Sequence, residues 1–210
     1  MSTILTIPLI KHYFRYRYAF FKWRCSLTLT RKLCLSFCMA CFTGLLAQIR
    51  IHLPFTPVPI TGQVLGVLLS GVICGGVFGM ISQIMYVGLG VLGMPWFAGS
   101  KVGITYLFTS PTAGYLVGFI IASRVIGEYT DKYIKARTFF SQMKLMLLGM
   151  VIIYFFGAVG LALSMKLDFY STMVQGVLPF IPVDLIKVLI AASISSSILP
   201  KASYNDEVDK

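Results

Sequence analysis

From Leu145 to Met165 the chain runs without one charged side chain. As a helix at about 1.5 Å per residue, such a run is about 30 Å long, the thickness of a bilayer's hydrocarbon core. A soluble fold could bury one segment of this kind, but the pattern recurs along the chain. Overall, 57% of the 210 residues are hydrophobic and 12% charged, with a mean hydropathy of +0.84. An average soluble domain has roughly a quarter of its residues charged. The sequence therefore predicts an all-α integral membrane protein, with lipid facing much of its apolar surface.

Six spans are expected: about 33–49, 61–74, 77–92, 112–126, 145–165 and 180–199. Three prolines, Pro54, Pro57 and Pro59, break the chain after the first. The second is short for a full crossing, and "CGGVFG" separates it from the third. A long non-helical segment is expected over 93–111, a charged loop over 127–144 and an outer loop over 166–179. This divides the chain into a basic aromatic extension (1–32), a six-helix transmembrane domain (33–199) and a polar tail (200–210).

Six spans put both termini on one side, and the cations choose which. Fourteen of the 18 Lys and Arg fall on the side of the termini; Arg50, Lys101 and Lys166 fall on the other, and Lys187 lies within the last span. The excess marks the cytoplasmic side of a cell membrane. The net charge of +11 thus follows the membrane, not nucleic acid, since no basic stripe sits on a soluble fold. The extension "KHYFRYRYAFFKWR" lacks the apolar core and cleavage site of a signal peptide. It reads either as a segment lying at the cytoplasmic interface or as a poorly ordered appendage. Irregular Pro-, Gly- and aromatic-rich loops gather on the outer side, so a ligand-binding mouth is expected there.

Cys34, Cys38 and Cys41 include a CxxC, a pattern that serves redox or metal chemistry. Without a His or second Cys pair nearby they read as small packing residues at a helix contact. Gly71, Gly75 and Gly79, and Ala40 with Gly44, give small-xxx-small spacings suited to close helix approach, within the chain or against a partner. No P-loop, HExxH or GxSxG occurs, and no cofactor or enzymatic activity is expected.

Asp184 and Lys187 in "PFIPVDLIKVLIAAS" are the sharpest feature. Their spacing of three puts them on one helix face, continued by Ala191 and Ser195. A charge at span centre costs about 2.5–3.5 kcal/mol on the insertion scale, so the pair points to ligand binding. A self-neutralising ion pair with Lys187 snorkelling outward is the other reading.

Four linked segments, "FTPVPITGQVLGVLLSG", "YVGLGVLGMPWFAGS", "SPTAGYLVGF" and "PVDLIKVLIAA", closely resemble BioY, the biotin-capturing S component of energy-coupling-factor (ECF) vitamin transporters. The resemblance covers about 33–199. It implies a six-helix subunit that binds biotin at its outer face. Delivery would follow by toppling in the bilayer on a transmembrane coupling protein driven by two ATPase subunits. It also implies that Asp184 and Lys187 contact biotin, with Trp96, Phe97 and Tyr115 against its apolar parts and Gln63 in the same set. Small residues of the first span, here Ala40 and Gly44, would meet the coupling subunit. Two departures concern the carboxylate: "FAGSKVG" replaces a glycine-rich "FAGGxGG", bringing Lys101, and Leu116 stands where some relatives have Arg. Lys101 either grips the carboxylate or points to water. The alternatives to a biotin subunit are a transport subunit for another small carboxylated vitamin, a lipid-directed membrane enzyme and a non-catalytic assembly subunit.

Overall fold

The computed structural model describes residues 3–201, with side chains from residue 15 onward. Of the expected polar tail (200–210), residues 202–210 therefore lie outside the described residues. Helix α1 (Thr3–Ser26) leads into α2 (Leu29–Gln48). A two-stranded antiparallel ribbon follows, β1 (Arg50–Ile51) pairing with β2 (Ile60–Thr61) around the Pro-rich turn. Next come α3 (Gln63–Cys74), α4 (Gly76–Val91), α5 (Gly103–Thr109) and α6 (Ala113–Lys132). A 3-10 turn (Ile134–Arg137) joins these to α7 (Phe139–Met165), α8 (Phe169–Gly176) and α9 (Ile181–Ile198).

Helices α2, α3, α4, α6, α7 and α9 pack side by side, with α6 against α3, α4 and α7. Three of them, α2, α7 and α9, are long and apolar enough to cross a membrane alone. A fourth crossing arises if α5 and α6, bent by 95° at their junction, count as one. Helices α3 and α4, of 12 and 16 residues, fall short of that length. The ribbon takes up the start of α3, and Gly75, at φ +85°, turns the chain between the two helices.

Glycine sets how closely the bundle closes. A side-chain carbon on Gly79 would lie 2.8 Å from Gly71 Cα, and one on Gly71 would lie 2.6 Å from the Ser123 carbonyl oxygen. The small-residue spacing of 71 and 79 therefore serves packing among α3, α4 and α6. Gly44 has a similar role in α2: a carbon added there would meet the Trp96 ring at 2.9 Å. Ala40 is fully buried. Both residues face the interior of the bundle, which corrects their expected place at a partner helix. The outward side of α2 instead presents Cys34, Phe37, Cys38 and Leu45. That also corrects the reading of Cys34 and Cys38 as packing residues; a helix has one inward side, and Ser36, Met39, Ala40 and Thr43 occupy it.

Three loops carry more structure than expected. Helix α5 interrupts 93–111, and α8 interrupts 166–179, capped by Asp168, which accepts from Tyr170 N at 3.1 Å and Ser171 N at 3.3 Å. In the charged loop, α6 continues to Lys132 and α7 starts at Phe139. Helix α1 is docked across the opposite end of the bundle. Its Arg17 donates to the Leu199 carbonyl at 2.7 Å, at the end of α9. Arg24 donates to the Val72 carbonyl at 2.8 Å, near the end of α3, and pairs with Asp131 of α6. Phe21 lies between two guanidinium groups, Arg24 at 4.5 Å and Arg137 at 4.3 Å from its ring centre. Helix C-termini expose carbonyls and a partial negative charge, which arginines satisfy on both counts.

Candidate functional site

A cleft opens at the end of the bundle away from α1, enclosing about 570 Å³ of space with its mouth included. Its walls come from the Pro-rich ribbon, the start of α3, the 97–98 segment, α5, α6, α7 and α9. Most of the lining is apolar or aromatic, including Val64, Phe97, Tyr106, Phe119 and Phe180.

One charged pair stands in this wall. Asp184 lies in the first turn of α9, where the helix dipole favours an anion, and is only 3% exposed. Lys187, one turn on, donates to Asp184 Oδ1 at 2.5 Å and to the Thr61 carbonyl at 2.5 Å. Tyr154 of α7 donates to Asp184 Oδ2 at 2.7 Å. Each charge thus meets its counterion and one further partner, the condition under which a buried pair is tolerated. A carboxylate has about four acceptor positions, so Asp184 keeps room for ligand donors.

The polar chain continues beneath the cleft. Thr61 Oγ1 donates to Gln63 Oε1 at 2.7 Å, Gln63 Nε2 to Tyr86 Oη at 2.7 Å, and Tyr86 Oη to the Trp96 carbonyl at 3.3 Å. Gln48 of α2 then binds both sides of the 97–101 hairpin: Nε2 donates to the Trp96 carbonyl at 3.1 Å, and Oε1 accepts from Ser100 N at 3.2 Å. The hairpin closes through Phe97 N donating to the Lys101 carbonyl at 3.3 Å. Gly99 (φ +79°) and Ser100 (φ +56°) form its tip, so a serine holds left-handed backbone where the resemblance implies glycine.

Asp184, Lys187, Gln63, Phe97 and Tyr115 all line the cleft. Phe97 stacks on Tyr106, ring centres 5.1 Å apart. Tyr115 donates to the Gly176 carbonyl at 2.5 Å and so fastens α6 to the end of α8. Trp96 and Lys101 are not among the lining residues. Trp96 faces back into the bundle, its indole N–H on the Tyr86 carbonyl at 2.9 Å, because neighbours in an extended segment point to opposite sides. Lys101 is exposed at the hairpin's base.

Tyr154, Thr61 and Tyr106 belong to the lining but were not anticipated from sequence. Tyr154 lies in an apolar run with no polar periodicity to single it out. Thr61 acts through its backbone carbonyl, which no sequence pattern reveals.

A model of the BioY family matches residues 17–203. The match begins sixteen residues before 33, taking in the half of α1 that grips the bundle. A probable biotin transporter BioY of Methanothermobacter thermautotrophicus is 40% identical over 148 residues, 67% of this chain and 94% of that protein. The biotin transporter BioY of Rhizobium etli is 36% identical over 155 residues, 71% of this chain and 82% of that protein. A crystal structure of the S-component for biotin from an ECF-type ABC transporter aligns with a TM-score of 0.73 at 26% identity. It covers 81% of this chain and 93% of that one. In sequence and in architecture alike, this chain belongs to the BioY family.

Proposed function

We propose that this chain is a biotin transport subunit: it captures biotin in the cleft and passes it inward as the S component of an ECF-type transporter. The observation that carries this reading is the Asp184–Lys187 pair, set with Tyr154 and Thr61 in an otherwise apolar and aromatic wall. Biotin's fused rings present urea N–H donors beside a urea carbonyl. Asp184 accepts from the N–H groups and Lys187 donates to the carbonyl, both as charge-assisted bonds. The thioether ring and aliphatic tail lie on Phe97, Tyr106 and Phe119.

The bundle crosses the bilayer six times, with α3 and α4 as short spans and both termini cytoplasmic. The cleft then opens outward and the α1 end faces the cytoplasm, in accord with the cation distribution. The subunit has no catalytic chemistry of its own. A transmembrane coupling protein with two ATPase subunits supplies the energy, docking on a surface other than Ala40 and Gly44. Calorimetric titration of the purified protein in lipid nanodiscs tests the reading. Saturable one-to-one biotin binding supports it; no heat at any biotin concentration sinks it.

A further inference from the structure

Resting on the reading of the cleft as a biotin site, we infer that Arg50 is the cation that holds the ligand's carboxylate. The cleft wall itself contains one anion and one cation, which neutralise each other. A ligand ending in a carboxylate therefore brings a charge that the wall leaves unbalanced.

Arg50 stands where that balance can be supplied. It is the cross-strand partner of Thr61, the cleft residue whose carbonyl holds Lys187. Side chains of directly paired residues leave an antiparallel ribbon on the same face. From there the Arg50 guanidinium reaches across to the 97–101 hairpin and lies over Gly99. A carbon added to Gly99 would be 1.8 Å from Arg50 Nη1 and 2.8 Å from Cζ. Position 99 must lack a side chain for Arg50 to lie there. Gly99 adjoins Ala98, and both Ala98 and Thr61 line the cleft. The guanidinium thus bridges the two lips of the mouth.

Its donors are available. Among the described residues, no ion pair engages Arg50. Among the described residues, no side-chain hydrogen bond to a protein acceptor occupies its guanidinium. The planar fork of Arg matches a carboxylate in a bidentate way that an ammonium cannot. Arg50 and Lys101 are both exposed, and neither lines the cleft; Lys101 offers a single ammonium, and its backbone closes the hairpin.

The test compares biotin with biotinamide, which keeps the rings and tail but ends in a neutral amide. Both are titrated calorimetrically into the full-length protein in nanodiscs. The parent is expected to prefer biotin by about tenfold or more, the scale of one charge-assisted contact. Arg50→Gln should lose about that factor for biotin and leave biotinamide unchanged, so the preference collapses. Arg50→Lys should restore part of it, and Lys101→Gln should keep the parental ratio. A parental ratio in Arg50→Gln, or its loss in Lys101→Gln alone, overturns the inference. Loss of both ligands in Arg50→Gln also overturns it, since Arg50 would then hold the lips and not the carboxylate. A parent that binds both ligands equally refutes the carboxylate grip alone. A parent that binds neither refutes the biotin reading, and Arg50 with it.

Discussion

Tyr154 donates its hydroxyl to Asp184 Oδ2 at 2.7 Å, while Lys187 holds Oδ1 at 2.5 Å. The two helices that carry the site, α7 and α9, are thus joined at the carboxylate itself. Asp184 is fixed from both sides before any ligand arrives, and its remaining acceptor positions are aimed by the protein. Such pre-organisation lowers the ordering cost of binding.

Tyr154→Phe keeps the ring and removes only the donor. Because this bond is present before and after binding, its loss acts on affinity only through the aim of Asp184, and biotin affinity should fall by about threefold. If Tyr154 acts through Asp184, adding Tyr154→Phe to Asp184→Asn should cost much less than it does alone. Full additivity in calorimetric titrations of the four proteins would show that Tyr154 acts by another route.

Gly44→Leu should be destabilising because its side chain would enter the Trp96 ring. Overpacking of this kind costs about 1–3 kcal/mol, and here it presses on the residue whose carbonyl binds Gln48 and Tyr86. Cys38→Leu, on the outward side of the same helix, should leave thermal stability in detergent unchanged. Equal melting temperatures for Gly44→Leu and the parent would contradict the packing described for α2.

Much of this was legible in the sequence, and the failures have physical causes. Asp184 and Lys187 were conspicuous because lipid makes charge costly, so two charges in an apolar run demand a partner. Phe97 and Trp96 were read together, yet one faces the cleft and the other the bundle; composition cannot separate adjacent residues whose sides alternate. Ala40 and Gly44 were read as a surface because small residues permit close approach, but the pattern does not say to whom. The N-terminal extension was read as lying at the cytoplasmic interface or as a poorly ordered appendage. Arg17, Phe21 and Arg24 instead sit four and three residues apart on one face of α1 and turn inward to helix ends. That spacing was visible, but basic side chains are ordinarily solvated, and only the carbonyls of α3 and α9 reverse the expectation.

Arg24→Gln tests the clasp of α1 on the bundle. It leaves Asp131 without its counterion and the Val72 carbonyl with a weaker donor. Because Asp131 is part-exposed, the loss should be about 2 kcal/mol, below that of a fully buried pair. Biotin affinity, measured at the opposite end of the bundle, should stay within about twofold of the parent. A large drop in affinity with unchanged stability would contradict the separation of the two ends.

The proposed membrane orientation predicts a simple labelling pattern. In a functional variant free of native cysteines, Tyr170→Cys should react with an impermeant thiol reagent added to intact cells. Lys135→Cys should react only after the cells are opened. The reverse pattern would invert the topology and turn the cleft to the cytoplasm.

The central claim is that Asp184 and Lys187 hold biotin and not merely each other, and one calorimetric series addresses it directly. Biotin is titrated into the parent, Asp184→Asn, Lys187→Met and the double variant, each folded and inserted in nanodiscs. Either single change should weaken binding by about tenfold or more. A pair serving structure alone would be repaired by joint neutralisation, because no buried charge then remains unpaired. The account predicts that the double variant is stable yet still binds poorly; parental biotin affinity in the double variant would contradict it.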